Sequence, residues 1–269
     1  MYISINGRII AEDESKISPT SEGFMFGYGA FETLKFTNNK IYFLKEHYQR
    51  IKKASEELRL PLSYDYSEVE TFAYRLIEKN KMQCGALKIN YAKNKDDYYL
   101  ILTLRENNYN EETYKRGFKI CFTSLQRNPY SLLTYIKSNN YMENLIVRQQ
   151  GLENGFDEVI FKNIHGDLCE GTISNLFFIR SDELYTPKTE CGLLAGIMRE
   201  KVLEIALKEG IKINVGCFKK EDLLKADEVF LTNSLMEIMP VVQLEEKKFN
   251  LKNNKMTQMM MEKLKRYRD

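Results

Sequence analysis

The chain has 269 residues, of which 43% are hydrophobic, 12% aromatic and 29% charged. That composition excludes the disordered and collagen-like classes, and at about 150 residues per domain the length allows one large domain or two ordinary ones. The 40 basic and 38 acidic side chains nearly cancel to +2, so no global field exists to hold a polyanion and no nucleic acid partner is expected.

The first element in chain order is a hairpin, YISI and RII around Asn6-Gly7, since Asn-Gly suits the positive backbone angles of a type I′ turn. The start, MYISINGRIIAEDE, lacks the basic and then apolar pattern of an export signal. GFMFGYGAFETLKF, Asn38-Asn39 and KIYFL read as two more strands around a turn. Leu44, Tyr48, Ile51, Ala54 and Leu58 then recur at helical spacing, with Pro61 beyond. A second helix is predicted near Ser67, where Ser67 and Glu70 form a capping box ahead of Phe72, Leu76 and Ile77. GALKINYAK and DYYLILTLR are strands flanking the polar tip 94–97. The polar stretch 107–117 and the passage through Pro129 place a domain boundary near 120–128. The expected division is a smaller N-terminal domain over 1–120, a connection over 121–127 and a larger C-terminal domain over 128–269.

The second half mixes a helix near 140–153, strands DEVIF, LCEGTI and NLFFIR, and a helix over 197–209 ended by Gly210. Strands IKINV and DEVFLT follow, then a last helix over 254–267. Without regular βαβ alternation the fold class is α+β. In the last helix Met256, Met259, Met260 and Leu264 form a stripe that reads as a core or subunit face.

Cys84, Cys121, Cys169, Cys191 and Cys217 are widely spaced and never form C-x-x-C, which points to a reduced, cytoplasmic chain without a disulfide framework or zinc cluster. No apolar run reaches the ~20 residues of a membrane span. His47 and His165 are too few for a multi-histidine metal site, so any chemistry falls to Lys, Glu, Tyr or a bound cofactor. Ala195-Gly196 runs straight into an amphipathic helix, whose first N–H groups suit a phosphate; an ordinary loop-to-helix junction is the commoner reading of such a stretch. Gly27-x-Gly29 reads as a tight turn. Arg50, three residues after His47, either grips a phosphate or is a solvated arginine. Glu170 lies in an apolar region and is either a buried, paired carboxylate or a hairpin-end residue facing water. Lys137 could be a desolvated amine suited to Schiff-base chemistry, although spacing does not single it out among the lysines.

HYQR at 47–50, YIKSNNYMENL at 135–145, EGTISNLF at 170–177, AGIMR at 195–199 and TNSLMEIMP at 232–240 together resemble, in order and approximate spacing, the fold-type IV pyridoxal-phosphate enzymes, or class IV aminotransferases. The resemblance spans essentially the whole chain. It implies two domains with the cofactor, pyridoxal 5′-phosphate, in the cleft between them, a homodimer, and no metal. It implies Lys137 as the Schiff-base lysine and proton carrier and Glu170 as the partner of the pyridine nitrogen. Arg50, the N–H groups of Gly196 and Ile197, and Ser234 would hold the phosphate.

Within the group, ISPTSEGFMFGYGAFETLKF, RNPYSLLTYIKSNNYMENL and TNSLMEIMP are more similar to aminodeoxychorismate lyases than to transaminases. Thr33, in F-E-T, matches a threonine near the lysine in such lyases, and Asn233 an asparagine associated with a substrate carboxylate. The loop NKDD lacks the arginine that some lyases use for that carboxylate, and Lys93 or Lys95 stands in as a candidate. The implied reaction converts 4-amino-4-deoxychorismate to 4-aminobenzoate and pyruvate, a step toward folate. The alternative is an aminotransferase for D-amino acids or branched-chain amino acids. A non-catalytic scaffold is disfavoured by the presence of the lysine, carboxylate and phosphate positions.

Overall fold

In a computed structural model, residues 1–38 and 40–268 are described, without the side chain of Arg268. Asn6 and Gly7 both take positive φ, 51° and 79°, and so join β1 (Tyr2–Ile5) to β2 (Arg8–Ala11) with Ile5 opposite Arg8. The same device works at Asn38, with φ 49°, while Asn39 lies outside the described residues. The first unit continues with α1 (Glu22–Phe26), β3 (Gly29–Thr37), β4 (Lys40–Ile41), α2 (Leu44–Glu57), α3 (Tyr66–Asn80), β5 (Cys84–Asn94) and β6 (Asp97–Arg105). Its sheet is antiparallel in the order β2-β1-β6-β5-β3-β4.

The helical period set by Leu44, Ile51 and Ala54 on α2 and by Val69, Ala73, Leu76 and Ile77 on α3 turns those side chains onto Leu34, Phe36, Leu87, Ile89 and Leu102 of the sheet. Each fully buried large side chain of this kind contributes roughly 1.5–3 kcal/mol. The cap of α3 differs from expectation. Asp65 Oδ1 accepts the Glu68 N–H at 2.9 Å and Glu68 Oε2 accepts the Asp65 N–H at 2.8 Å. Ser67 instead donates its hydroxyl to Asp65 at 2.8 Å. A carboxylate two residues upstream takes the cap because it accepts more strongly than a hydroxyl.

The chain divides into two compact units: Met1–Asn108 with Ile136–Tyr141, and Tyr109–Tyr135 with the residues from Met142 onward. The connection expected at 121–127 is therefore corrected, and residues 109–120 fall in the second unit. After α4 (Glu111–Arg116), residues 121–127 are the second part of β7 (Phe118–Arg127). That strand is parallel to β8 (Glu158–Asn163). The segment is polar enough to resemble a linker, but its backbone hydrogen bonds are met by a neighbouring strand, which composition does not reveal.

The second unit adds α5 (Met142–Glu153), β9 (Leu168–Gly171), β10 (Asn175–Arg180), β11 (Glu183–Pro187), α6 (Ile197–Lys208), β12 (Ile213–Gly216), α7 (Lys220–Leu224), β13 (Glu228–Asn233), β14 (Glu237–Leu244), β15 (Lys247–Lys248) and α8 (Lys255–Arg268). Its sheet runs β12-β11-β10-β13-β14-β7-β8-β9, and β9 pairs back onto β10, so six of these strands close on themselves. The closing pair is Asn175 opposite Glu170. Ile120, Ile160, Leu176, Phe178, Val229, Leu231, Met239 and Val241 form its core. The methionine stripe of α8 is partly a core face: Met260 and Leu264 are buried, and α8 packs on α6.

Candidate active site

In the first unit, Lys137 is held by a short strand-like segment. The Phe31 N–H donates to Lys137 O at 2.8 Å and the Asn139 N–H to Gly29 O at 2.9 Å. The bridge Ala30–Ser138 lies between them. Gly29 is required here, because a Cβ would come within 2.5 Å of Tyr91 O and 2.6 Å of Asn139 Nδ2. The Lys137 Nζ stands 4.6 Å from the centroid of Phe31 and 5.4 Å from that of Tyr141. These two rings meet edge to face at 5.3 Å.

Strand alternation divides β3 into two chemical faces. Ala30, Glu32, Leu34 and Phe36 point inward, and all four are buried. Glu32 is the exception in residue type, and α2 answers it. The Arg50 Nε–H and Nη2–H donate to its two carboxylate oxygens at 2.7 Å each. His47 Nδ1 lies 2.6 Å from Glu32 Oε2. Burial opposes the charge on Glu32, but the Arg50 guanidinium and His47 hold its carboxyl down at about 2. Burial drives the pKa of His47 down against the pull of Glu32, so the imidazole is neutral and donates Nδ1–H to the carboxylate. Arg50 is thus pinned by two parallel hydrogen bonds, which orients the plane of its guanidinium.

The other face of β3 carries Phe31 and Thr33. Thr33 is directly opposite Lys88 of β5, and the Lys88 Nζ lies 4.6 Å from the centroid of Phe31, matching the distance of Lys137 from that ring. Solvent still reaches Lys88, but partial desolvation and the Arg105 cation lower its pKa. Lys93 and Lys95 do not join this group. Lys93 is five positions further along β5, about 16 Å at strand rise and on the opposite face by alternation. Its amine sits over Tyr98 at 4.7 Å, and Lys95 occupies the turn with φ 52°.

In the second unit, Glu170 is buried at the strand closure. Its Oε2 accepts the Leu194 N–H at 3.1 Å and Asn175 Nδ2 at 3.4 Å, and Arg127 Nη2 lies 3.8 Å from Oε1. The Arg127 guanidinium is stacked on Phe161 at 3.9 Å and tied to Glu143 and Asn144 at 3.0 Å each. Asn175 also donates to Leu194 O at 2.8 Å, so a single amide joins the carboxylate to the turn before α6. Gly196 is the N-cap of α6, and no side chain caps that helix. A Cβ at Gly196 would come within 1.9 Å of Asn175 Oδ1. The backbone N–H groups of Gly196 and Ile197 therefore stand at a helix start shaped by a glycine that no other residue can replace without displacement.

The loop between β9 and β10 is fixed from beneath. Buried Glu158 accepts from Thr172 N at 3.0 Å, Ile173 N at 3.1 Å and Ser174 Oγ at 2.8 Å, and also from the Thr172 hydroxyl. Ser234 lies in the turn from β13 to β14, shaped by Asn233. Asn233 Oδ1 accepts the N–H groups of Leu235 at 3.0 Å and Met236 at 2.9 Å, while its Nδ2 donates to Ile173 O at 3.2 Å. Both ends of the Asn233 amide thus build the turn.

Residues 29–244 match the family Amino-transferase class IV. The chain belongs to this family. Among curated members, an aminodeoxychorismate lyase of Bacillus subtilis is 26% identical over 95% of this chain and 90% of its own length. A D-alanine aminotransferase of Bacillus licheniformis is 27% identical over 91% and 89%. Among solved structures, a branched-chain aminotransferase from Thermoproteus uzoniensis superposes with a TM-score of 0.92 at 23% identity, over 99% of this chain and 94% of that one. Class IV membership bears out the resemblance read from the five motifs, the α+β fold and pyridoxal 5′-phosphate as cofactor. It leaves both lyase and transaminase members among the relatives.

The residues present suit that cofactor. Taken unit by unit, the first carries a half-buried amine among rings and an arginine, and the second a glycine-shaped helix start and a buried carboxylate, groups of the kinds that can pair with an aldehyde, a phosphate and a pyridine nitrogen. The sequence reading missed Glu32, Lys88, Arg127 and Asn175. Glu32 had a signal, since it takes the inward parity of Ala30, Leu34 and Phe36. Lys88 had none, because a lysine between Leu87 and Ile89 is the ordinary pattern of a half-buried strand.

Proposed function

We propose that this chain is a pyridoxal-phosphate-dependent aminodeoxychorismate lyase, converting 4-amino-4-deoxychorismate to 4-aminobenzoate and pyruvate. The observation that carries the reading is the face of β3 and β5, where Lys88 and Lys137 share the Phe31 ring and Thr33 lies opposite Lys88. A second cation at the ring that the reacting amine also meets suits a substrate bearing carboxylates, and a hydroxyl opposite that cation in the strand pair suits departure of an oxygen leaving group. When bound, the cofactor withdraws electrons from the amine-bearing carbon.

Lys137 is the covalent anchor and takes the proton from that carbon. Glu170, kept in place by Leu194 N–H and Asn175, holds the pyridine nitrogen protonated. Arg50, oriented by Glu32, holds the phosphate with the N–H groups of Gly196 and Ile197 and with Ser234. Lys88 holds a substrate carboxylate, and Thr33 steadies the ether oxygen as the enolpyruvyl group leaves. Loss of one proton and cleavage of one C–O bond make the ring aromatic, and the released enol becomes pyruvate.

The competing reading, a transaminase for D-amino or branched-chain amino acids, is favoured by the 27% identity to a D-alanine aminotransferase. Incubation with aminodeoxychorismate and no keto acid separates the two. Many equivalents of 4-aminobenzoate per site are expected. Product that stops at one equivalent, and resumes only on adding 2-oxoglutarate or pyruvate, would assign the transaminase. The same reading includes a cytoplasmic homodimer serving folate synthesis. It is supported by five unpaired cysteines and by exposed Met142, Leu145 and Ile146 on α5.

A further inference from the structure

Two cysteines of the second unit meet for a reason built into the sheet. β11 and β12 pair in parallel up to Pro187 and Gly216, and the Lys188 N–H donates to Gly216 O at 2.9 Å. The chain leaving β11 forms a single 3₁₀ turn, Thr189–Cys191, and the chain leaving β12 continues at once into Cys217. The Cys191 Sγ–H consequently donates to Cys217 Sγ at 3.6 Å. Cys191 is buried and Cys217 exposed. Asp167 lies within 4.8 Å of both sulfurs, but its carboxylate is occupied, by Lys219 Nζ at 2.7 Å and by Asn163 Nδ2 at 3.3 Å. A metal would have to displace that lysine, whereas the two thiols need only each other.

We propose that Cys191 and Cys217 form a dithiol modification site, oxidised reversibly to a disulfide by low-molecular-weight disulfides such as oxidised glutathione. Cys217 is the entry sulfur, being exposed and the acceptor of the Cys191 thiol hydrogen. As thiolate it attacks one sulfur of the small disulfide, which breaks that S–S bond and expels one small thiol carrying the Cys217 proton. Cys191 then gives up its proton to the second leaving sulfur and attacks Cys217 Sγ, which releases the second small thiol. Two protein S–H groups are oxidised and one small disulfide is reduced to two thiols, so atoms and electrons balance. The sulfurs must close only from 3.6 Å to the about 2.05 Å of a disulfide. Burial and the neighbouring Cys217 push the Cys191 thiol up to about 12, which keeps it protonated until the mixed disulfide forms. The new bond would tie the turn that leads to Leu194, and hence to Glu170, onto the end of β12.

The test treats the purified holoenzyme with oxidised glutathione, quenches in acid, denatures, alkylates and maps peptides. The expected result is a fall in alkylatable thiols from five to three, five cysteines less the bonded pair. The intact mass should drop by about 2 Da, and a Cys191–Cys217 peptide pair should be opened by dithiothreitol. C84S should still form the pair, and C217S should lose no mass. Glutathione retained on Cys217 with Cys191 still alkylated, a bridge involving any other cysteine, or an unmodified protein would each overturn the proposal. None of these outcomes depends on which reaction the enzyme catalyses.

Discussion

Glu32 stays ionised in a buried strand position because two donors on α2 compensate the lost hydration, and this sets a pH dependence. Its folded pKa of about 2 lies below its ordinary 4.5. The resulting stability is complete above 4.5 and disappears as pH falls toward 2, on the order of 3 kcal/mol in all. His47, whose pKa is also lowered by burial, adds loss of the same sign starting below its ordinary 6.5, since only the unfolded chain then gains the proton. The melting temperature should therefore decline from pH 6.5 downward and fall more steeply below 4.5. Glu32→Gln should lower it at pH 7 and flatten the acid limb, as read by circular dichroism across pH 3–8. Lys137→Ala should abolish turnover while leaving the melting temperature close to the parent's. Borohydride reduction and peptide mapping should place the cofactor on Lys137, and label on another lysine would refute the assignment. Glu170→Gln should bind cofactor yet slow proton removal strongly, because a neutral amide no longer favours a protonated pyridine. Full activity in that variant would remove Glu170 from its role.

At the scale of elements, the turn into α6 and the closure of β9 on β10 are one construction, since Asn175 bonds both Glu170 and Leu194 and its oxygen fills the space beside Gly196. Gly196→Ala should force Asn175 aside, costing about 1–3 kcal/mol as an overpacked site. It should also weaken cofactor retention, measured by absorbance after dialysis. Unchanged stability and retention would show that the turn yields easily. On α3 the expected cost of Asp65→Ala is about 1 kcal/mol, and Ser67→Ala should cost less, a comparison for urea denaturation. Equal effects would restore Ser67 as the cap.

For the whole molecule, the proposed homodimer predicts that light scattering gives twice the 31.7 kDa chain mass. A monomer that turns over at full rate would remove the partner from the reading. The sequence by itself determined the elements whose residues repeat at 2.0 or 3.6. These include the Asn6-Gly7 hairpin, α2, β5, β6 and the helix after Gly196, together with a motif order specific enough to name the family, because local periodicity and turn chemistry need no distant partner. Only tertiary structure could decide what β7 is, since its polar half becomes a strand through the backbone groups of β8. It also decided the return of residues 136–141 to the first unit, the pinning of Arg50 by Glu32 and the approach of Lys88 to the ring that Lys137 uses. Each of these depends on which strand lies beside which, and that is set by sheet closure and register between residues far apart in the chain, where a single sequence carries no period to read.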